Sequence, residues 1–575
     1  MQEKIWKPTS LLSKEEINGL SDKLGVPPLY ALLFHRVGVA SRDEMGTFMR
    51  PDHAQLHDPM LMRDMGKAVE RITEARAAGQ RVRVYGDYDV DGTTSVAVVY
   101  QFLQDHFEHI DHYIPDREKE GYGISELSIE DAIQKNIDLI IALDCGIRSV
   151  YLVDQARQNG VDFIICDHHT PGSELPNAAA VLNPKRSDCS YPFKELSGCG
   201  IGWKLISALS VHWELDLQKP NEYLDLVAVS VCSDLVSMIG ENRVLTALGL
   251  KKLSENPSPG LQMVVDKFIR GDDKYVDMDV TKVLFMIGPR INAAGRLKDA
   301  AVAVRLLLAD SEDEASELAL ELNELNKERQ GLDRSITREA LAQVEADPDY
   351  GNAYSTVVYD PTWHKGVVGI VASRLLEKHY KPTIVLTGSG DQIVGSARSV
   401  ENFDIHEALT TCSDHLIQFG GHKYAAGMRL RPDQLAGFKT AFDDAVRSKL
   451  TSDDLIPKIY YDAEIPLHWV NERLHDNLQK FAPFGPDNLQ PVFLSHRVID
   501  TGESRTMGKD HEHLRMNLID SASKTVIGAV AFGFGHLFER IHKGAPMSIV
   551  YHIDMNHFNG RSSLQLMVLD IKLED

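Results

Sequence analysis

Three apolar runs in this chain end in side chains that could hold a divalent cation. RVRVYGDYDVDG (81–92) supplies Asp87, Asp89 and Asp91, IDLIIALDCG (137–146) supplies Asp144, and VDFIICDHH (161–169) supplies His168 and His169. A further acid, Asp234, is embedded in the apolar stretch AVSVCSDLV. Carboxylates this close repel one another unless a cation lies among them, and an unpaired carboxylate after an apolar strand is costly. Taken singly, each tip has a plainer reading: a turn with a helix cap, a hydrogen-bonded structural imidazole, or a solvent-facing acid. Three such strand ends in one sheet favour a shared site instead. Mixed carboxylate and imidazole donors without cysteine favour Mg²⁺ or Mn²⁺ over structural zinc. There are enough donors for two ions sharing a carboxylate. Two such ions, about 3.5–4 Å apart, suit phosphodiester hydrolysis, one preparing hydroxide and both stabilising an in-line displacement.

The elements that must position these groups follow from periodicity. Strands are expected at 81–87, 110–115, 137–143, 161–166 and 178–184, with helices at 92–107, 125–136 and 148–159 between them. That alternation predicts a doubly wound α/β domain whose tips meet at the carboxyl edge of a parallel sheet, where ligands bind. The first 80 residues read as short helices capping the sheet, and helices dominate 200–310. Leu318, Leu322, Leu325 and Leu332 keep helical spacing, which predicts a long exposed connecting helix over 311–346. A second α/β unit follows, with strands at STVVYD and PTIVLTG around a helix at 366–379, and the last ~120 residues carry strand signals consistent with a small β-barrel.

The 61 basic and 84 acidic residues give a net charge of −23, which argues against coating of nucleic acid but leaves room for a local basic groove. No apolar run is long enough for a transmembrane span, MQEKIWKPTS lacks a signal-peptide core, and the six cysteines form no C-x-x-C pair. A cytoplasmic, reducing compartment is expected.

DYDVDG (87–92), LDCG (143–146), DHH (167–169) and SDLV (233–236) resemble, in order, the motifs of the DHH phosphoesterase superfamily. IPDREKEGYG (114–123), GPRINAAGR (288–296), SARS (396–399) and GGHKYAAG (420–427) further resemble its RecJ exonuclease branch. The resemblance implies a parallel-sheet DHH domain (81–310) behind an N-terminal helical cap (1–80). A connecting helix (311–346) then leads to an α/β DHHA1 domain (347–452) and a C-terminal OB-fold barrel (453–575). It also implies 5′→3′ exonuclease action on single-stranded DNA with two Mn²⁺ or Mg²⁺ ions, in repair and recombination. The partners it implies are a helicase and the single-strand-binding protein, with the enzyme itself a monomer.

By the same resemblance, Asp89 and Asp91 are ligands of separate ions, Asp144 bridges, and His168 and Asp234 hold the second ion. Some superfamily members carry a histidine where this chain has Tyr85, so Asp87 is a candidate to complete the first ion's ligands. His169 is assigned beside the ligands or at the substrate phosphate. Arg117, Ser396 and Arg398 are implied at the 5′-terminal phosphate, and Asn292, Arg296 and His422 at the backbone near the cut bond. Arginine suits bidentate phosphate contacts, and Gly420, Gly421 and Gly427 permit close backbone approach. Phe481, Phe484 and Phe558 are candidate stacking platforms or barrel core. Two other functions compete. One is a DHH hydrolase of pyrophosphate, short oligonucleotides or cyclic dinucleotides, and the other is a non-catalytic scaffold for single-stranded DNA.

Overall fold

The computed structural model describes residues 3–271, 275–520, 525–558 and 561–574. The chain divides into two compact units, one formed by residues 8–322 with 460–575, the other by residues 1–7 with 323–459.

The first unit is organised by a parallel sheet of β1 (Val82–Gly86), β2 (Ile110–Tyr113), β3 (Leu139–Leu143), β4 (Asp162–Cys166) and β5 (Ala180–Leu182). The order is β2-β1-β3-β4-β5, with every neighbour parallel. β1 and β3 are buried along their whole length, which is why their sequences run as unbroken apolar stretches. Arg83 is the exception: its buried guanidinium is held by Asp111 and Asp131, each at 2.6 Å. From β1 the chain moves outward to β2, then crosses to β3 on the other side. The topological switch point therefore lies between β1 and β3, opening a crevice at their carboxyl ends. Three helices close on this crevice: α1 (Val90–Leu103), α2 (Gly198–His212) and α3 (Leu224–Ser233). α4 (Gly288–Leu297) follows later in the chain.

α5 (Glu312–Ala346) is the expected long helix, but it is not freely exposed. Leu318 and Leu322 are buried, and further on Ile336, Ala340 and Val344 share a core with α6 (Val368–His379). That core belongs to the second unit. Its five-stranded sheet contains β6 (Thr356–Asp360), β7 (Thr383–Ser389), β8 (Gln392–Arg398), β9 (Gln418–His422) and β10 (Ala425–Leu430), in the order β9-β10-β8-β7-β6. SARS thus begins on strand β8, and GGHKYAAG forms the hairpin β9–β10.

The C-terminal strands are β11 (Phe493–Asp500), β12 (Arg505–Met507), β13 (His513–Asp520), β14 (Ile527–Ala531), β15 (Met547–Phe558) and β16 (Arg561–Leu573). They run β11-β15-β16-β14-β13-β12, and β11 also pairs with β13, closing a barrel. Of the helices expected to cap the parallel sheet, Met65–Ala77 does so, packing against β5 and reaching β4 through Arg71 and Asp162 (2.8 Å), whereas Lys14–Leu24, Pro28–Arg36 and Arg42–Met49 do not. Leu24, Leu33 and Phe34 complete the barrel core together with Phe481, Phe493 and Leu514. Phe481 is 1% exposed and lies against Phe34 and Phe48, so it is core and not a base platform. Phe484 is partly buried against the same core, and the side chain of Phe558 lies outside the described residues. Among the described residues no helix is long and apolar enough to cross a membrane, and all six cysteines are free and buried.

Candidate metal centre

β1 ends at the DYDVDG turn. Asp89 caps α1, its carboxylate accepting the Gly92 N–H at 3.1 Å. Gly92 is required, since a Cβ there would lie 2.2 Å from the Asp87 carbonyl oxygen. Asp91 follows in the first turn and is buried. It accepts the N–H groups of Gly198 (2.7 Å) and Cys199 (2.8 Å) and the Ser230 hydroxyl (2.6 Å). Gly198 and Cys199 open α2, so the positive end of that helix faces the carboxylate and fixes it.

Asp144, one residue beyond β3, has φ 60°, a left-handed conformation that non-glycine residues hold only under surrounding constraint. Its own N–H is tied to the Cys166 carbonyl at 2.9 Å. From the end of β4, His168 directs Nε2 toward three carboxylates: Asp144 Oδ1 at 3.1 Å, Asp234 Oδ2 at 3.5 Å and Asp91 Oδ2 at 3.7 Å. Two overlapping donor groups result, Asp91–His168–Asp234 and Asp144–His168–His169, each with donor atoms within 4.8 Å of one another. Asp87 and Asp89 contribute no atom to either group. Asp87 instead accepts the Gly123 N–H at 3.3 Å. Tyr85 is committed elsewhere, its hydroxyl donating to the Gly123 carbonyl at 2.7 Å.

The electrostatics of the cluster call for a positive counter-charge. Burial, and then Asp91, Asp89 and Asp234, push the Asp144 carboxyl well above its ordinary range. Asp234 is raised by burial and by Asp91 and Asp89, and Asp87 by burial and Asp89. Burial lowers His168 to about 4, leaving a neutral imidazole with a lone pair to give. Asp144 Oδ1 and both ring nitrogens of His168 are buried without a hydrogen-bond partner, an arrangement costly in itself. A divalent cation answers each of these features, so Asp91, Asp144, His168 and Asp234 fit Mn²⁺ or Mg²⁺. His169 is held differently: its Nδ1 lies 2.8 Å from Asp167 Oδ1. Burial opposes charge on His169, but the hydrogen bond and charge of Asp167 outweigh it and raise its pKa.

The residues expected to bind substrate fall in both units. In the first, Arg117 stacks on the Tyr88 ring at 5.0 Å. Asn292 and Arg296 lie one turn apart on α4. Gly295 of that helix sits so close to the DYDVDG turn that a Cβ would lie 2.6 Å from the Tyr88 carbonyl oxygen, and Gly288 abuts Ser233 beside Asp234. In the second unit, Ser396 and Arg398 share one side of β8, with Arg398 Nη1 donating to Ser396 Oγ at 3.0 Å. The start of α6 stands against both, since a Cβ on Gly369 would lie 3.0 Å from Ser396 Oγ and 3.1 Å from Arg398 Nη2. A hydroxyl, a guanidinium and the first turn of a helix form a cradle suited to phosphate. His422 lies on the exposed strand β9.

Three family models match this chain: "DHH family, N-terminal domain" over 81–231, "DHHA1 domain" over 351–448 and "RecJ OB domain" over 461–570. The single-stranded-DNA-specific exonuclease RecJ of Bacillus subtilis is 36% identical over 98% of this chain and 70% of its own length. The Escherichia coli protein of the same name is 31% identical over 97% and 98%. The chain belongs to the RecJ family. The crystal structure of RecJ from Thermus thermophilus with Mn²⁺ matches 99% of this chain and 80% of its own (TM-score 0.83, 28% identity). A manganese-bound exonuclease RecJ, 34% identical, matches 69% of this chain and 96% of its own (TM-score 0.59). A Thermus thermophilus RecJ structure with Mg²⁺ matches as well (TM-score 0.77, 26% identity). The RecJ family thus includes members holding either ion.

Several contributors to this RecJ-family centre were not singled out from the sequence. The Tyr122 hydroxyl donates to the Asp144 carbonyl at 3.2 Å and reaches the His169 ring at 3.3 Å. Asp167 orients His169 and also accepts the Ile147 N–H at 2.9 Å. Gly198 packs so tightly that a Cβ would lie 2.7 Å from Asp144 Cβ. The stretch Ser197-Gly-Cys-Gly before an apolar helix carries the available signal, a capping serine followed by residues small enough for close approach.

Proposed function

We propose that the chain is a metal-dependent 5′→3′ exonuclease specific for single-stranded DNA, releasing nucleotides by phosphodiester hydrolysis at a centre for two Mn²⁺ or Mg²⁺ ions. The observation that carries this reading is the convergence of His168 Nε2 with Asp144, Asp234 and Asp91 within 3.7 Å, buried and without hydrogen bonds at His168 or Asp144 Oδ1. When bound, the ions would supply an activated water and positive charge for the displaced oxygen.

The protein's own groups do the rest. Asp91, clamped by the start of α2, and Asp144, held in its strained backbone, keep their carboxylates in place before substrate arrives. Asp89 and Asp87 complete the acidic turn. His168 stays neutral as a donor, whereas His169, its proton favoured by Asp167, stands ready for an anionic phosphate oxygen. Arg117, Ser396 and Arg398 bind the 5′-terminal phosphate, and Asn292, Arg296 and His422 the neighbouring backbone.

We infer the domain division as helical segment 1–80, DHH domain 81–310, connecting helix 311–346, DHHA1 domain 347–452 and OB-fold barrel 453–575. We further infer a cytoplasmic monomer acting in repair and recombination beside a helicase and the single-strand-binding protein. The closed barrel favours a polymer over a short substrate such as a cyclic dinucleotide or pyrophosphate. Turnover of a long 5′-phosphorylated single strand should exceed that of a dinucleotide. The reverse preference would favour a small-substrate hydrolase, and metal-independent binding without hydrolysis would favour a scaffold.

A further inference from the structure

We propose that the groove between α5 and α6 binds the phosphate backbone of nucleic acid at a segment other than the 5′ end. The groove has a volume of about 430 Å³ and is lined by Arg334 and Arg338 from α5 and by Arg374 and Lys378 from α6, with Glu345 as the one acid in its lining. Asp333, buried beneath, fixes Arg374 through contacts of 2.8 and 2.7 Å and leaves the guanidinium half exposed. Lys378 reaches Glu345 at 3.5 Å. Arg334 and Arg338 are exposed and have no hydrogen bond or ion pair among the described residues. Two unpaired arginines beside two further cations are mutually repulsive until an anion enters.

The spacing selects the anion. Each pair is separated by four helical residues, a rise of about 6 Å, comparable with the step between successive phosphates on a strand. Guanidinium forks match phosphate oxygens, and a doubled row of cations at regular rise suits a repeating backbone better than an irregular acidic peptide. The surrounding unit does not oppose this: residues 323–459 carry 16 Lys and Arg against 19 Asp and Glu, so most of the −23 charge lies elsewhere in the chain.

The groove is distinct from the Ser396–Arg398 cradle. Gly369 of α6 faces that cradle. Arg374 and Lys378 lie five and nine residues further on, about 140° and 180° around the helix. This role rests on the exonuclease reading, because it extends the grip on a DNA substrate already held at its end.

The test uses the full-length protein with R334E/R338E, neither residue belonging to the metal centre or the phosphate cradle. Binding to a long phosphorothioate single strand is followed by anisotropy across a salt series, and cleavage of a short 5′-phosphorylated strand is measured in Mn²⁺. The variant should cleave the short strand as wild type does while losing affinity for the long one. The slope of log K against log salt should fall by about 1.4, the value for two lost contacts to a single strand. R334K/R338K should restore the slope. An unchanged slope and affinity would overturn the groove's role, as would competition by polyglutamate but not by DNA. Wild-type protein that cleaves no single strand would instead overturn the functional reading, a failure visible before any variant is made.

Discussion

Replacing Gly198 with alanine tests whether the metal centre is held by close packing of α2 on the acidic strand ends. The new Cβ would stand 2.7 Å from Asp144 Cβ, 2.9 Å from its Cα and 3.0 Å from Asp91 Oδ2. Restoring an ordinary carbon contact of about 3.5 Å requires an opening of about 0.8 Å. If Asp144 moves, a carboxylate facing His168 moves with it. If α2 moves, the Gly198 N–H, now 2.7 Å from Asp91, is drawn to about the limit of a hydrogen bond. Overpacking costs about 1–3 kcal/mol, partly offset by about 1 kcal/mol from replacing glycine in a helix, so the protein remains folded. A shift of this size at reacting groups costs roughly 10²-fold in rate. Nucleotide release from a 5′-phosphorylated single strand in Mn²⁺, with a melting curve to confirm the fold, measures it. Activity within twofold of wild type would show that the centre does not depend on this close packing.

Removing metal should expose the strain among the acids. Asp144 and Asp234 have raised pKa values, so the folded metal-free protein keeps protons that the unfolded chain releases, and its stability falls as pH rises above the ordinary carboxylate range. A bound cation displaces those protons, so the Mn²⁺-induced rise in melting temperature should grow from about pH 6 to about pH 8; an equal rise at both would count against the coupling. Arg398→Ala should raise KM for a 5′-phosphorylated strand by roughly 10–100-fold, with a smaller effect on kcat, because a charge-assisted phosphate contact is lost in the ground state. Equal loss in both would argue for a transition-state role. Phe481→Ala should cost about 3–5 kcal/mol in urea unfolding and leave single-strand affinity of the folded protein unchanged, since the ring packs on Phe34 and Phe48. Weakened binding without destabilisation would restore it as a base platform.

Much of the site's framework was legible because a parallel sheet covered on both faces writes itself as uninterrupted apolar runs. β1 to β4 fall within about two residues of their expected limits, and their tips converge as the switch-point rule requires. Other features depended on partners far away in sequence. Asp91 is clamped by Gly198 and Cys199, more than a hundred residues on, and no local pattern announces that contact. The apolar faces of residues 14–49 signalled helices, yet their burial partner is the barrel at the opposite end of the chain. SARS and GGHKYAAG concealed strands because glycine, serine and alanine lack the β-branched alternation by which strands are read. The spacing of Leu318 and Leu322 predicts the helix α5 but not what covers it, and both are buried where the helix begins.

In the proposed function, the carboxylates around His168 make a cation-dependent centre that removes nucleotides from the 5′ end of single-stranded DNA. Asp144→Asn tests it most directly, since asparagine tolerates the left-handed backbone and keeps the shape while removing the charge. Digestion of strands labelled at either end, in Mn²⁺ and in chelator, should show metal-dependent release from the 5′ end by wild type and a loss of at least about 10³-fold in the variant. Undiminished Mn²⁺-dependent cleavage by Asp144→Asn would remove Asp144 from the metal centre, and wild-type digestion beginning at the 3′ end would reverse the proposed polarity.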